Sequence, residues 1–141
     1  MAARFRVLIA EDEPVFRRVI RFTLERQGFE VEAVENGQLA LARLREQNFD
    51  FVVTDHQMPY LTGLELLHHV RFTLGLQTLP MILCTAKGLE LDSEYLREQY
   101  SLTAVLHKPF SPQRLAALIL EQQRAEQQRL ESQRLGDGVC T

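Results

Sequence analysis

Cysteine is scarce in this 141-residue chain: Cys84 lies inside an apolar run and Cys140 close to the end. Neither has a second cysteine or a histidine at metal-ligand spacing nearby, so a disulfide framework and a zinc site are excluded and both read as plain thiols. No apolar run approaches the roughly 20 residues that span a bilayer, and the opening Met1-Ala-Ala-Arg-Phe-Arg6 has no signal-peptide core. The expected location is therefore the cytoplasm, with no membrane partner. An excess of positive charge is also missing. Lysine and arginine number 16 against 19 aspartates and glutamates, a net charge of −3 that argues against direct nucleic-acid binding. A glycine-rich phosphate loop is absent where one would stand, after the first strand-like run. Glu11-Asp12-Glu13-Pro14 occupies that place and would repel a phosphate unless a metal intervened.

What is present is ordinary for a globular protein. The composition is 45% hydrophobic and 25% charged, with seven glycines and five prolines, enough for one well-buried core and a short appendage.

The chain alternates two kinds of segment. Phe5 to Ala10 is a short β-branched run that ends at a polar cluster, as a strand ending in a loop does. Pro14 suits a first helical turn, and Val15, Phe16, Val19, Ile20 and Phe22 recur near helical spacing until Gly28. The pattern repeats. Phe29 to Val34 alternates apolar residues with Glu; Asn36-Gly37 opens a segment with Leu39, Ala40, Leu41 and Leu44 at helical spacing. Phe49 to Asp55 is too apolar to have a wet face and leads into a loop through Met58-Pro59 and Gly63. A helix over about Leu64 to Thr73 follows, then a buried strand, Met81 to Thr85. Asp92 to Gln99 reads as helix and Thr103 to His107 as a fifth strand. Ser111-Pro112 supplies a capping serine and an N1 proline for the last helix. Strands buried on both faces and joined by helical crossovers predict a parallel sheet with helices on both sides. Ligands on such sheets gather beyond the carboxyl ends of the strands.

That edge carries the chemistry. The first strand ends in Glu11-Asp12, the third in Asp55, the fourth in Thr85, and the fifth leads to Lys108-Pro109. Each residue alone has an ordinary explanation as a cap, a turn residue or a solvated charge. Together they place three carboxylates, a hydroxyl and an ammonium at one end of one sheet. Packed carboxylates repel and call for a cation. All-oxygen ligands with room for waters and a phosphate suit Mg²⁺. Lys108 adds a compact positive charge for a phosphoryl oxygen.

From about Arg4 to Leu120 the constellation resembles the receiver domain of bacterial two-component response regulators. The match rests on the acidic pair Glu11-Asp12, Asp55 with Met58-Pro59 and Gly63 behind it, Thr85-Ala86, and Lys108-Pro109-Phe110. The resemblance implies a flavodoxin-like α/β fold, a doubly wound five-stranded parallel sheet in the order 2-1-3-4-5. It also implies a signalling module of a phosphorelay: Asp55 as phosphoacceptor, Mg²⁺ on Asp12, Asp55 and the Gln57 backbone carbonyl, and Glu11 binding through water or steadying Asp12. Thr85, Ala86 and Lys108 would bind the phosphoryl group, and Pro109 is the expected cis proline. The donor would be a sensor histidine kinase or a phosphotransfer protein, and the acyl phosphate would hydrolyse on the domain itself, past Gln57 and Lys87. One position departs from the family. The aromatic residue usual three places before the lysine is Val105 here, which predicts a smaller or differently built rearrangement near the fourth helix and fifth strand. His56, His68, His69 and His107 form neither a triad nor a metal spacing with the site and read as solvated or surface side chains.

The last helix outruns the domain. Residues 121–141 read as a helical extension and flexible tail, with EQQRA, EQQRL and ESQRL each pairing a Glu with an Arg three positions on. Ala125, Leu130 and Leu135 step by about 140° around an ideal helix, so they form no coiled-coil seam. The expected stop is Gly136-Asp137-Gly138. Such a helix suits a linker to an output domain or an end-on contact with a partner, and the resemblance puts a homodimer face on the fourth helix, fifth strand and last helix. Two other functions compete. A haloacid dehalogenase-like phosphohydrolase also uses a strand-end Asp but needs a second acid two residues later, where Gln57 stands. A receiver-fold adaptor working without phosphorylation would lack a reason for the complete acidic site.

Overall fold

Alternation along the central strands divides the core in two. The computed structural model describes residues 4–86 and 92–139, with side chains as far as Leu135. Five strands, β1 (Arg6–Ala10), β2 (Glu30–Val34), β3 (Phe51–Asp55), β4 (Met81–Thr85) and β5 (Ala104–His107), pair in parallel in the order β2-β1-β3-β4-β5. Helices α1 (Pro14–Arg26), α2 (Gly37–Glu46), α3 (Gly63–His68), α4 (Ser93–Gln99) and α5 (Pro112–Val139) fill the crossovers and the end of the chain. This is the flavodoxin-like arrangement expected.

Successive strand residues point to opposite faces. Val7, Ile9, Phe51, Val53 and Ile82 therefore pack with Ile20 and Leu24 of α1 and Leu115, Ala116 and Ile119 of α5. Leu8, Ala10, Val52, Met81 and Leu83 pack on the other face with Ala40, Leu41 and Leu44 of α2, Leu66 and Leu67 of α3, and Leu96 of α4. Each Val, Leu, Ile, Phe or Met among them contributes about 1.5–3 kcal/mol by leaving water. Strands β3 and β4 are buried throughout, whereas β2 at the edge keeps Glu30 exposed.

Caps fix where the helices begin. Glu13 accepts from the amides of Val15 and Phe16 at 3.2 and 2.6 Å, Asn36 from Leu39 at 2.8 Å and Asp92 from Tyr95 at 3.1 Å. Thr62 and Glu65 form a reciprocal capping box, and Ser111 caps α5 as expected, accepting from Arg114 at 3.1 Å. Two boundaries differ from the expectation by more than two residues. After His68 the chain continues as a π-helical turn, His69–Thr73, closed by Leu74 N–H donating to the His69 carbonyl at 2.8 Å; the widened turn carries both Val70 and Arg71 inward. Helix α5 runs through Gly136 and Gly138 to Val139, because glycine costs a helix only about 1 kcal/mol and removes no backbone bond. Beyond Leu120 its side chains leave the core: Leu130 and Leu135 are exposed, and Glu126 meets Arg129 at 3.4 Å.

Candidate functional site

Parallel pairing brings the same end of every strand to one edge. Glu11 and Asp12 follow β1, Asp55 ends β3, Thr85 ends β4 and Lys108 follows β5. Carboxylate oxygens of Glu11, Asp12 and Asp55 lie within 4.8 Å of one another. Lys108 Nζ stands 2.9 and 3.3 Å from the two Glu11 oxygens and 3.3 Å from Asp55 Oδ1. Glu11, Asp55 and Thr85 are buried, while Asp12 faces solvent. Three carboxylates against one ammonium leave an excess of negative charge in a confined, all-oxygen site, a donor set that fits a hard divalent cation.

The titration of these groups follows from that confinement. Burial pushes the Glu11 carboxyl up to about 7, with Asp55 and Asp12 adding to the rise and the Lys108 bond opposing it. Burial also raises Asp55, against the opposing pull of Lys108. Burial alone would lower the Lys108 ammonium, but its bond to Glu11 and the charges of Glu11 and Asp55 offset this and hold it above its ordinary value. Cys84, next to Thr85 and paired in register with Asp55, has its thiol pushed up by burial and stays neutral.

The surrounding backbone is tightly specified. Gly63 lies against the Asp55 carbonyl so closely that a Cβ would collide with it, and its N–H donates to the His56 carbonyl at 2.9 Å. The loop after Asp55 is thereby folded back beneath the site, with Met58 buried and Gln57 exposed. The Lys108-Pro109 peptide is cis, and Lys108 N–H donates to the Thr85 carbonyl at 2.8 Å. Ala86 is half-buried at the rim of a cleft of 450 Å³ that Glu11, Phe16, Lys108 and Phe110 also line. Lys87 lies outside the described residues.

Sequence patterns missed several neighbours. Lys108 Nζ sits 5.1 Å from the centre of the Phe16 ring, which packs edge-on against Phe110 at 5.4 Å. Arg17 donates to the backbone carbonyls of Glu11 at 2.9 Å and Asp12 at 3.4 Å and so holds the acidic loop. His107 is more than a surface side chain, since its two ring nitrogens reach Thr85 Oγ1 and Ser93 Oγ, both at 3.0 Å. A signal for this contact existed: parallel pairing of the fourth and fifth strands sets His107 opposite Thr85. Val105 is half-buried against the α3 side of the core.

The family model of the response regulator receiver domain matches residues 7–120. The chain belongs to that family. A receiver domain is a regulatory phosphoacceptor module of two-component signal transduction, and members of the family bind Mg²⁺ at an acidic cluster. Among relatives, the chemotaxis protein CheY of Pseudomonas aeruginosa is 37% identical over 111 residues, covering 78% of this chain and 89% of that protein. The transcriptional regulatory protein ResD of Bacillus subtilis is 33% identical over 110 residues, again 78% of this chain but 44% of ResD. The receiver thus spans about half the length of several transcriptional regulators it matches and nearly all of a CheY. The receiver domain of the Francisella response regulator 1452 superposes with a TM-score of 0.73 at 28% identity, covering 85% of this chain and 98% of that one. CheY4 of Vibrio cholerae gives 0.74 at 28%, covering 84% and 98%. Membership in this family does not favour the phosphohydrolase or the phosphorylation-independent adaptor. Among the described residues no helix is long and apolar enough to cross a membrane.

Proposed function

We propose that Asp55 of this receiver domain is the residue that accepts the phosphoryl group. The observation that carries the proposal is the bridging of Glu11 and Asp55 by Lys108 beside Asp12. The donor is a phosphohistidine on a sensor kinase or phosphotransfer protein. An Asp55 oxygen attacks phosphorus, the new P–O bond forms as the P–N bond to the donor histidine breaks, and the phosphoryl group passes in line between them. Asp12, Asp55 and the Gln57 carbonyl would hold Mg²⁺, with Glu11 through water or against Asp12, and the ion when bound supplies positive charge at the phosphoryl oxygens. Lys108 leaves its carboxylates and binds a phosphoryl oxygen, a fixed charge acting where charge accumulates. The Thr85 hydroxyl and the amide of Ala86 donate to the remaining oxygens.

The acyl phosphate then hydrolyses on the domain, with Gln57 beside the path of the attacking water. The receiver unit is residues 4–120 and residues 121–141 are an appendage through which an output domain or partner is reached. A homodimer would use the face of α4, β5 and α5, and the site of action is the cytoplasm. Nucleic acid and membrane are not partners in this scheme.

Mass spectrometry after incubation with acetyl phosphate and Mg²⁺ tests the assignment. Wild type acquires an acid-labile phosphoryl adduct and Asp55→Asn does not. A wild type that binds Mg²⁺ yet stays unmodified would remove the phosphoacceptor role, and an adduct that survives the substitution would move it to another residue.

A further inference from the structure

His107 stands between two hydroxyl groups. Its Nδ1 is 3.0 Å from Thr85 Oγ1 and its Nε2 is 3.0 Å from Ser93 Oγ, so one imidazole joins the end of β4 to the first residue of α4. A neutral imidazole has one donor and one acceptor nitrogen. The two bonds are therefore locked in opposite senses. Either Thr85 donates to Nδ1 and Nε2–H donates to Ser93, or Nδ1–H donates to Thr85 and Ser93 donates to Nε2.

Thr85 has a single hydroxyl proton. In the first arrangement that proton is committed to His107, and in the second it is free for another acceptor. A phosphoryl oxygen is acceptor-only and forms its strongest bonds with such a donor. We propose that phosphorylation selects the second arrangement, so that His107 changes tautomer and reverses the hydrogen bond at Ser93. This rests on the roles of Asp55 and Thr85 given under Proposed function. The protons balance. The ring, exposed to solvent, releases its Nε2 proton to water and takes one from water at Nδ1, with no change in charge.

The consequence falls on α4. When Ser93 accepts from His107 its own proton is available elsewhere; when it donates to His107 that proton is committed. The hydroxyl must turn, and it belongs to the first turn of α4, immediately after the Asp92 cap. Val105 lies two residues before His107 and so projects to the same face of β5. It is short, branched and packed against the core, with no polar atom to meet Thr85. His107 is the side chain of β5 that touches the Thr85 hydroxyl, and it supplies the link to α4 that a valine cannot.

Long-range ¹H–¹⁵N correlation spectra of the full chain test this, because protonated and unprotonated ring nitrogens have widely separated shifts. His107→Asn assigns the signals. Without ligand the His107 ring carries its proton on Nε2; with beryllofluoride and Mg²⁺, a phosphoryl mimic on the aspartate, it carries it on Nδ1. Any other pair of states, including an unchanged tautomer or an imidazolium in both, overturns the proposal. Binding of beryllofluoride is followed separately through the amides of β3 and β4, with Asp55→Asn as control. Binding without a tautomer change removes this proposal alone, whereas no binding removes the Asp55 assignment and the proposal with it. Ser93→Ala supplies a second measurement: beryllofluoride still binds, but the change in amide exchange across α4 loses most of its amplitude. An α4 response equal to that of wild type overturns the coupling.

Discussion

Two cations are held inside this receiver domain in opposite ways. Arg71, in the π-helical turn, is 2% exposed and donates to the carbonyls of Leu76 at 2.6 Å, Tyr100 at 2.7 Å and Ser101 at 3.2 Å. Those carbonyls belong to loops that lead into β4 and β5, so Arg71 ties down the amino end of the sheet. No carboxylate pairs with it among the described residues, and burial lowers its pKa without removing its charge. Lys108, at the carboxyl end, is instead compensated by Glu11 and Asp55, side chains that themselves titrate. A charge solvated by fixed peptide dipoles is an anchor. A charge balanced by other charges shifts when a phosphoryl group or a metal joins them.

The largest effect should come from the anchor. Arg71→Met leaves three part-buried carbonyls without their shared donor, at up to about 1–3 kcal/mol each, partly relieved by water. Urea denaturation should show a loss of about 3–5 kcal/mol, while the folded fraction still takes up phosphoryl groups from acetyl phosphate at the wild-type rate. A variant as stable as wild type would abolish the contrast between the two ends.

Next comes the pH dependence of the carboxyl end, measured without divalent cations. Glu11 titrates near 7 in the folded chain against its ordinary 4.5, so the folded state binds more protons between those values. The stabilisation is complete below the lower value and is lost as pH rises through the higher one. Asp55, also raised, acts in the same direction. Unfolding free energies should fall between pH 5 and 8 by up to about 3 kcal/mol, since a tenfold change in proton affinity between the two states is worth about 1.36 kcal/mol. Glu11→Gln should flatten the curve. A profile identical to wild type would mean that Glu11 is not the buried acid responsible.

Lys108→Met separates compensation from anchoring. Lys108 draws both carboxyls down, so its loss should carry the fall in stability to higher pH. Phosphoryl uptake should slow by about 100-fold, on the scale of removing one preorganised donor, or about 2.7 kcal/mol. A rate unchanged at saturating acetyl phosphate would leave Lys108 a structural charge.

The carboxyl end was far more legible in the sequence than the amino end. Strands of five residues whose apolar patterns stop at Glu11, Asp55 and Thr85 announce both the sheet and the cluster of polar side chains at its edge, because burial and strand ends leave local marks. Arg71 leaves none. It reads as one more polar residue of an amphipathic helix, and only the widened turn at His69–Thr73 and the return of the chain at Tyr100 bury it. Arg17 and Phe16 were hidden for the same reason, since their partners are a backbone loop and a lysine 92 residues away. The Thr85, His107 and Ser93 chain was half-legible: strand register predicts the first contact, but nothing local predicts where α4 begins relative to β5.

The smallest effect is the most discriminating, because its sign depends on the metal. Asp12 is exposed and its charge adds to the burden on Glu11 and Asp55. Without Mg²⁺, Asp12→Asn should therefore leave stability at pH 8 unchanged or raise it, by less than about 1 kcal/mol, as expected of a solvent-facing like charge. With Mg²⁺ the order should invert. Wild type gains RT ln(1 + [Mg²⁺]/Kd), and a variant lacking one of three carboxylates gains less at the same concentration. The measurement is thermal unfolding of both proteins across a Mg²⁺ titration at pH 8, where the two curves should cross. Curves that run parallel would mean that Asp12 is no ligand, and that the excess negative charge at the carboxyl end is balanced by something other than a cation.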